Sequence, residues 1–289
     1  MSKINSHTNT LFHFTRNEET ILSILKEGLR FGYCKERFNE EICIGIPMIS
    51  FCDIPINNIA EHKNKYGNYA IGLSKSQLIE DYSIAIGPVN YYTSKRSINA
   101  AFKLLKLSKE KKDFLWKVKK SIKPNVFVTL NGNKYEGGVL PKENAPQVLH
   151  EFWDADNLYQ AATFAIGLMK PYESEGKEGM QINYDECEWR MVMPEYARLS
   201  DNKLCYWYWS EKELEEWREQ NGSKFIDDWS LPIELSCINY LLVPDSKSVL
   251  SIVEHIQKMD KLYGKKLSNT DKSILCAKVL SFEQIEDDF

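Results

Sequence analysis

The stretch "INYDECEWRMVMP", residues 182–194, places two glutamates, Glu186 and Glu188, shortly before the apolar run at residues 191–193. Such an apolar run of β-forming residues is typical of a buried strand. If residues 182–193 form one strand, alternation puts Glu186, Glu188 and Arg190 on the same face. Neighbouring carboxylates repel each other near a core, so they persist where cations neutralise them at a solvated strand edge or where a site needs both.

The composition narrows the class of protein. The chain has 289 residues, of which 43% are hydrophobic and 12% aromatic, enough to build a core in one large domain or two smaller ones. The formal net charge of −4 provides no global attraction for nucleic acid, although a local basic patch is compatible with it.

The cysteines and the chain's hydropathy predict its compartment. The seven cysteines are scattered singly, without a CxxC pair or a Cys/His cluster at zinc spacing, which predicts reduced thiols and no metal site. The polar opening "MSKINSHTNT" lacks the apolar segment of a signal peptide, and no apolar run reaches the about 18 residues that span a bilayer. We therefore expect a cytoplasmic protein with no membrane partner.

Apolar periodicity and capping residues predict a mixture of strands and helices. Asn17 is expected to cap the first helix and Gly28 to end it, while Ser210 is expected to cap a later acidic helix. The simplest description is a single α+β domain with a helical insertion. The predicted strands are residues 10–15, 44–55, 69–74, 182–193 and 236–244, and the predicted helices are 17–30, 74–81, 151–170, 210–220 and 245–259.

The stretch from about residue 95 to 123 is the most basic part of the chain, with about ten lysines and arginines against few acids. Its apolar spacing predicts a pair of amphipathic helices, followed up to residue 150 by a hairpin or loop. Such a charge run forms either a solvated helical face or a surface that attracts a phosphate backbone. In the second interpretation, Lys103 and Lys106 contact a nucleic-acid substrate.

His13 lies inside an apolar strand, between Phe12 and Phe14. It is either a core histidine that donates to a backbone carbonyl or a ring at the mouth of a cleft that donates to a ligand hydroxyl. Thr15 and Arg16 follow at the strand-to-helix turn, where a helix N-terminus attracts anions such as a pyrophosphate.

Three further residues are candidates for the same cleft. Ser50 lies in the middle of a strand, and Tyr66 and Tyr69 flank Gly67, which allows a close approach of the backbone. The tyrosines either stack on a planar ring or pack against the core. No GxGxxG or GxxxxGK[ST] motif is present, so a Rossmann or P-loop nucleotide site is not predicted.

Five segments resemble, in order and spacing, the AbiGi family of bacterial proteins tied to abortive phage infection, whose members have been labelled antitoxins. The segments are "LFHFTRNEETILSILKEGLRFGYC", "IGIPMISFCDIPI", "YGNYAIGLSK", "KPYES" and "YDECEWRMVMP", so the resemblance covers roughly residues 10 to 255. The motif order also resembles the ADP-ribosyltransferase fold, including the DarT-like toxins. That resemblance implies a split β-sheet core in a single domain over residues 1–289, with the basic helical insertion at about 95–123 and a C-terminal helical extension from about 246.

The same resemblance assigns roles to individual residues. Glu188, the second acid of the E-x-E pair, would be the catalytic glutamate, and Glu186 would orient or deprotonate the acceptor. His13 would hold the adenosine ribose of NAD, and Tyr69 would stack against the nicotinamide. Arg190 is expected to contact the substrate. The pattern departs from the family in one respect, because a first-motif histidine belongs to a different subclass from E-x-E, and the middle motif stays open between Ser50, Tyr66 and Tyr69.

The resemblance therefore implies an antiphage toxin that transfers ADP-ribose from NAD, its co-substrate, to a macromolecule, nucleic acid in preference to protein. It also implies a partner, an antitoxin or inhibitor protein encoded nearby. A non-catalytic antitoxin or regulatory module and an NAD glycohydrolase are the alternatives.

Overall fold

The computed structural model describes residues 8–82, 85–121, 126–130, 133–137, 145–176, 179–197 and 204–288. The chain divides into two compact units. The main unit comprises Met1–Tyr91 and Lys170–Phe289, and the inserted unit comprises Tyr92–Met169.

Strands and helices are interspersed along the chain. The strands are β1 (Thr10–Thr15), β2 (Leu29–Arg37), β3 (Cys43–Cys52), β4 (Tyr69–Ser74), β5 (Ile86–Pro88), β6 (Asn90–Tyr92), β7 (Val126–Leu130), β8 (Asn133–Gly137), β9 (Met169–Pro171), β10 (Glu173–Gly176), β11 (Gly179–Ile182), β12 (Glu188–Val192), β13 (Phe225–Leu231), β14 (Ile238–Val243), β15 (Lys261–Leu262), β16 (Lys265–Lys266) and β17 (Val279–Ser281). The helices are α1 (Glu18–Glu27), α2 (Ala60–Tyr66), α3 (Lys75–Tyr82), α4 (Lys95–Ser121), α5 (Ala145–Gly167), α6 (Glu211–Asn221), α7 (Ser246–Lys258), α8 (Asn269–Cys276) and α9 (Phe282–Asp288), with 3₁₀ turns at Ile56–Asn58 and Asn183–Glu186.

A nine-stranded sheet forms the centre of the main unit. Its order is β13-β2-β3-β1-β4-β14-β17, with β12 paired to β3 and β5 paired to β12 off this path. Most pairs are antiparallel, whereas β14 and β17 are parallel. The molecule is therefore an α+β protein with a large mixed sheet, which agrees with the predicted class.

The sheet opens along one side of β3. Met48 pairs with Gly32 of β2 and with β12, and Cys52 pairs with Phe12 of β1 and with β12. Since β12 occupies one side of β3 at both positions, β2 and β1 share the opposite side and diverge between Met48 and Cys52. In that interval the carbonyl of Ser50 accepts a hydrogen bond from the side chain of His13. The split sheet expected from the resemblance is compatible with this opening.

The residues predicted to cap and end α1 do so in the structure. The side chain of Asn17 accepts a hydrogen bond from the backbone of Thr20, and Gly28 ends the helix. Ile21, Ile24 and Leu25 are buried against the sheet. The helix ends at Glu27, three residues before the predicted end, because β2 begins at Leu29 and pairs with β3 and β13.

The inserted unit differs from the predicted helix pair. Residues 95–121 form one continuous helix, α4, which packs against α5 around Leu115, Phe152 and Ala155. Lys112 of α4 forms an ion pair of 2.6 Å with Asp156 of α5. Because a second helix covers one face, the apolar residues need no break in α4 to become buried. The predicted hairpin corresponds to β7 and β8.

The C-terminal segment is also more than a helical extension. Its strand β17 joins the edge of the main sheet beside β14, and Ile252 and Ile256 of α7 are completely buried. Among the described residues, no helix has both the length and the apolar character needed to cross a membrane.

Gly28, at the edge of the sheet opening, has a backbone conformation that requires glycine. Its φ of 83° and ψ of 179° occupy a region that only glycine adopts readily, and an added Cβ would lie 2.3 Å from the carbonyl oxygen of Leu231. Gly222 at the end of α6 has φ 62° and ψ 10°, with no atom within 4 Å of an added Cβ.

We expect Gly28→Ala to lower the free energy of unfolding by about 3 kcal/mol or more, since backbone strain and a clash combine. The matched control Gly222→Ala has strain alone and should lose about 1 kcal/mol. Urea unfolding of both variants measures the difference, and equal losses would contradict the close contact with Leu231.

Candidate functional site

A cavity of about 790 Å³ lies in the main unit where the sheet opens. Its walls come from β1 and the turn after it, from α1, from the end of β3, and from the carboxylate segment before β12. Its volume lies within the range of small-molecule sites. The polar lining residues are His13, Thr15, Arg16, Asn17, Glu19, Thr20, Ser23, Arg30, Ser50, Lys65, Tyr66, Lys170, Glu186, Glu188 and Lys224.

Glu188 is held by two cations at the first residue of β12. Arg190 Nε lies 2.8 Å from Oε1 of Glu188, and Arg190 Nη2 lies 3.1 Å from Oε2, so the guanidinium contacts both oxygens. Lys170 Nζ lies 3.0 Å from the same Oε2. The guanidinium also reaches Glu36 of β2 at 3.0 Å, which connects the strands on either side of β3. The contact of the Arg190 guanidinium with both oxygens fixes the orientation of the Glu188 carboxylate.

Glu186 lies beside Glu188, but not because the two residues share one strand as predicted. Residues 182–193 are not one strand, because a 3₁₀ turn covers Asn183–Glu186 and Cys187 adopts a left-handed backbone with φ 44°. Alternation along a strand therefore does not relate the two carboxylates. They still converge, since Lys170 Nζ lies 2.6 Å from Glu186 Oε2, and Lys65 binds the other oxygen of Glu186.

Both carboxylates of the pair are ionised at neutral pH. Burial opposes ionisation of Glu188, but Arg190 and Lys170 outweigh it and lower its pKa to about 2. Burial also opposes ionisation of Glu186, and Lys170 and Lys65 again lower the pKa below its usual range. The pair can therefore accept hydrogen bonds and stabilise positive charge, whereas neither carboxylate is suited to donate a proton.

His13 faces the cavity as a neutral imidazole. Burial lowers its pKa, the hydrogen bond to Ser50 opposes that effect, and nearby Lys224 adds to the lowering. Because the Ser50 carbonyl can only accept, Nδ1 carries the proton in the 2.9 Å hydrogen bond. Nε2 of the neutral ring is then an acceptor, so His13 can accept a hydrogen bond from a ligand hydroxyl. From the sequence we expected His13 to donate this hydrogen bond instead.

Tyr66 and a set of cations complete the walls. Burial and the neighbouring Glu186 raise the pKa of the Tyr66 phenol, so it stays a hydrogen-bond donor at neutral pH. Arg16, Arg30 and Lys224 line the cavity as exposed side chains. Arg16 precedes the N-terminus of α1, a position that suits an anionic part of a ligand.

Four of the predicted site residues do not line the cavity. Tyr69 packs against the hydrophobic core instead of lining the cavity. Arg190 has 0% exposed surface and binds Glu188 and Glu36, so it positions the carboxylate and cannot reach a substrate. Lys103 and Lys106 are exposed on α4 of the inserted unit.

Sequence reasoning missed Lys170, Lys65 and Glu36. Lys170 follows the long helix α5 directly before Pro171, in the quoted segment "KPYES", and a lysine before a proline after a helix has many structural explanations. Glu36 lies about 150 residues from Arg190 along the chain, and only the pairing of β2 and β12 with β3 brings them together. Within the ranges that the structure describes, no group of three His, Cys, Asp or Glu side chains is arranged to hold a metal ion.

The fold and site define an α+β protein with a ligand-sized cavity and a buried network of ion pairs at its wall. The chain belongs to the AbiGi family, since the family model described as "Putative abortive phage resistance protein AbiGi, antitoxin" matches residues 23–244. A curated relative, "Abortive phage resistance protein AbiGi" of Lactococcus lactis subsp. cremoris, is 25% identical over 255 residues, covering 84% of this chain and 89% of the relative. No solved structure matches the chain. The AbiGi resemblance is confirmed, and the resemblance to ADP-ribosyltransferases stays a prediction.

The low pKa of Glu188 predicts a pH-dependent contribution to stability. A carboxyl whose pKa is depressed on folding stabilises the protein above its ordinary value, near 4.5, and this contribution is lost as the pH falls towards about 2. Glu188→Gln should therefore cost about 3 kcal/mol of unfolding free energy at pH 7, because Arg190 and Lys170 lose a charged partner. The difference from the wild type should shrink as the pH falls from 4.5 towards 2.

Urea unfolding at several pH values measures this effect. The control Glu219→Gln changes an exposed glutamate on α6, and it should alter stability by less than about 0.5 kcal/mol at every pH. A pH-independent cost for Glu188→Gln would show that Arg190 and Lys170 do not hold this carboxylate in the ionised form.

Proposed function

We propose that this AbiGi-family protein acts in abortive phage defence as an ADP-ribosyltransferase that uses NAD as co-substrate. The observation that carries the proposal is the pair of ionised carboxylates, Glu186 and Glu188, at the wall of a ligand-sized cavity that His13 also lines.

The proposed chemistry uses Glu188 as an electrostatic group. Transfer of ADP-ribose breaks the bond between the ribose C1′ and the nicotinamide nitrogen, and the electron pair leaves with the nicotinamide. A nucleophilic atom of the acceptor forms the new bond to C1′ and releases its proton to water. Positive charge develops on the ribose as that bond weakens. A carboxylate that accepts a hydrogen bond from a ribose hydroxyl stabilises this charge, and an orientation fixed by Arg190 requires no reorganisation during the reaction.

The cavity's polar groups fit the other parts of NAD. The acceptor nitrogen of His13 suits a hydroxyl of the adenosine ribose. Arg16, with Arg30 and Lys224, suits the pyrophosphate at the N-terminal end of α1. Ser50 and Tyr66 both line the cavity, whereas Tyr69 does not. We therefore assign the middle motif, which the sequence left open between these three residues, to Ser50 or Tyr66.

Glu186 is assigned to the acceptor. Its lowered pKa makes it a weak base, so we assign it to orient the acceptor by accepting a hydrogen bond rather than to remove a proton. The acceptor itself is proposed to be a macromolecule, with nucleic acid as the first class to test.

A second candidate function is a non-catalytic antitoxin, which the family description and the ion pairs both favour. Lys170 contacts both carboxylates, and Lys65 contacts Glu186, so cations already balance the charges that the transferase reaction would use. A member that neutralises a toxin partner would use the cavity only to bind a regulatory ligand. NAD hydrolysis is a third outcome of the same experiments.

Expression in bacteria tests the leading proposal. Wild-type protein should arrest growth, and Glu188→Gln should relieve the arrest because its neutral amide cannot stabilise the developing charge. We expect a loss of nicotinamide release of about a hundredfold or more in the purified variant. Glu219→Gln, exposed on α6, should keep both activities.

The location of the label separates the alternatives. NAD labelled on its adenosine should transfer label to RNA, DNA or protein in a lysate, and the labelled fraction identifies the acceptor. Label found only as ADP-ribose would favour the hydrolase. A wild-type chain that is harmless, releases no nicotinamide and protects cells from a neighbouring gene product would contradict the transferase and favour the antitoxin.

A further inference from the structure

Helix α4 of the inserted unit carries apolar side chains on its solvent-exposed surface. Leu104, Leu107 and Phe114 are 46%, 54% and 64% exposed. At 100° per residue these positions fall on one side of the helix, within about 80° of each other, so they form a stripe about 15 Å long. We call these three residues the α4 stripe. It lies beside the face that packs on α5, which includes Leu105 and Leu115.

Basic residues border the α4 stripe. Helix α4 contains ten lysines and arginines and two acidic residues. Lys103, Lys106 and Lys117 are exposed on the solvent side of the stripe, where the two acidic residues of the helix, Glu110 and Asp113, also lie. Lys111 lies within the stripe, between Leu107 and Phe114. Lys106 has an acidic neighbour, Glu110, at 3.9 Å, and both side chains are mostly exposed, so this pair leaves most of the positive charge of the helix in place.

We propose that the α4 stripe and its lysines bind an acidic amphipathic helix of a partner protein. The acidic character of the partner helix follows from charge complementarity. Glutamates beside its apolar seam would contact the lysines of α4, while its apolar residues would cover the stripe. The stripe runs along about three turns of α4, which suits another helix packed along it.

The stripe also favours a protein over a nucleic acid at this surface. Lysines alone would serve a phosphate backbone, but leucines at two of the three stripe positions add nothing to phosphate contacts or base stacking. A second copy of the chain is a poorer match, since its acidic helix α6 has Leu214 completely buried in the main unit. The proposal is independent of NAD chemistry in the main unit.

A designed peptide is the probe. It has about 20 residues, leucines repeating along one face and glutamates on the flanks, and it is compared with a peptide of the same composition and scrambled leucines. Fluorescence anisotropy with the full chain should show binding of the first peptide. The triple variant Leu104→Ser, Leu107→Ser and Phe114→Ser should bind it about tenfold or more weakly. Since all three side chains are exposed, the helical circular dichroism should not change.

A charge swap makes the test specific. Lys103→Glu, Lys106→Glu and Lys117→Glu together should weaken binding of the glutamate peptide and create binding of a matched peptide with lysines in place of glutamates. Leu250→Ser and Lys247→Glu on α7 are the matched controls, and they should leave binding unchanged.

Four results would overturn the proposal. The first is a wild-type chain that does not distinguish the glutamate peptide from its scrambled counterpart. The second is a stripe variant that binds as well as the wild type. The third is binding of an RNA or DNA oligonucleotide that displaces the peptide and depends on the lysines but not on the stripe, which would assign α4 to nucleic acid. Self-association that the stripe variant abolishes would assign it to a second copy instead.

Discussion

The contact between Arg190 and two carboxylates is the constraint on which the site depends. The guanidinium has no exposed surface and lies between Glu188 on its own strand and Glu36 on β2, so it spans β3. A planar guanidinium that contacts both oxygens fixes the plane of a carboxylate as well as its position. Because β2 and β1 diverge on the far side of β3, the network lies where the sheet opens. Glu188 therefore reaches the cavity in an orientation set by two other strands.

The network changes in character from its buried end to its open end. Arg190 is inaccessible to solvent, whereas the side chains of Lys170 and Lys65 are 18% and 40% exposed. A fully desolvated charge cannot leave its partners without a large cost, but an exposed ammonium can exchange a carboxylate for water at little cost. Ligand entry would therefore displace Lys65 most readily, Lys170 less readily and Arg190 not at all. The inner contacts position Glu188, and the outer ones can be replaced by groups of a ligand.

Sequence patterns predicted the parts of the fold that depend on neighbouring residues. The cap at Asn17 and the strand Tyr69–Ser74 agree with the structure because capping and alternation are local effects. The left-handed backbone of Cys187 has no such signal, since the residue is not glycine, and the prediction of one strand failed there. Seven predicted site residues line the cavity because four chain segments converge on it. Of the cations that set their charge state, Arg190 lies two residues from Glu188, whereas Lys170 of β9 and Lys65 of α2 are more distant along the chain, and their pairings are visible only in three dimensions.

Stability alone does not account for this network. Replacing a buried set of ion pairs by apolar residues of similar volume is often neutral or stabilising, so a core that served only to fold would gain little from Arg190 and its carboxylates. The charges also face a cavity of about 790 Å³, where a purely structural network would be expected to be closed off by packing. A partner protein, by contrast, needs an accessible surface, and α4 provides apolar and basic side chains on such a surface. The two features lie in different units of the chain, so a role as an enzyme and a role as a partner in a defence system do not compete for the same residues.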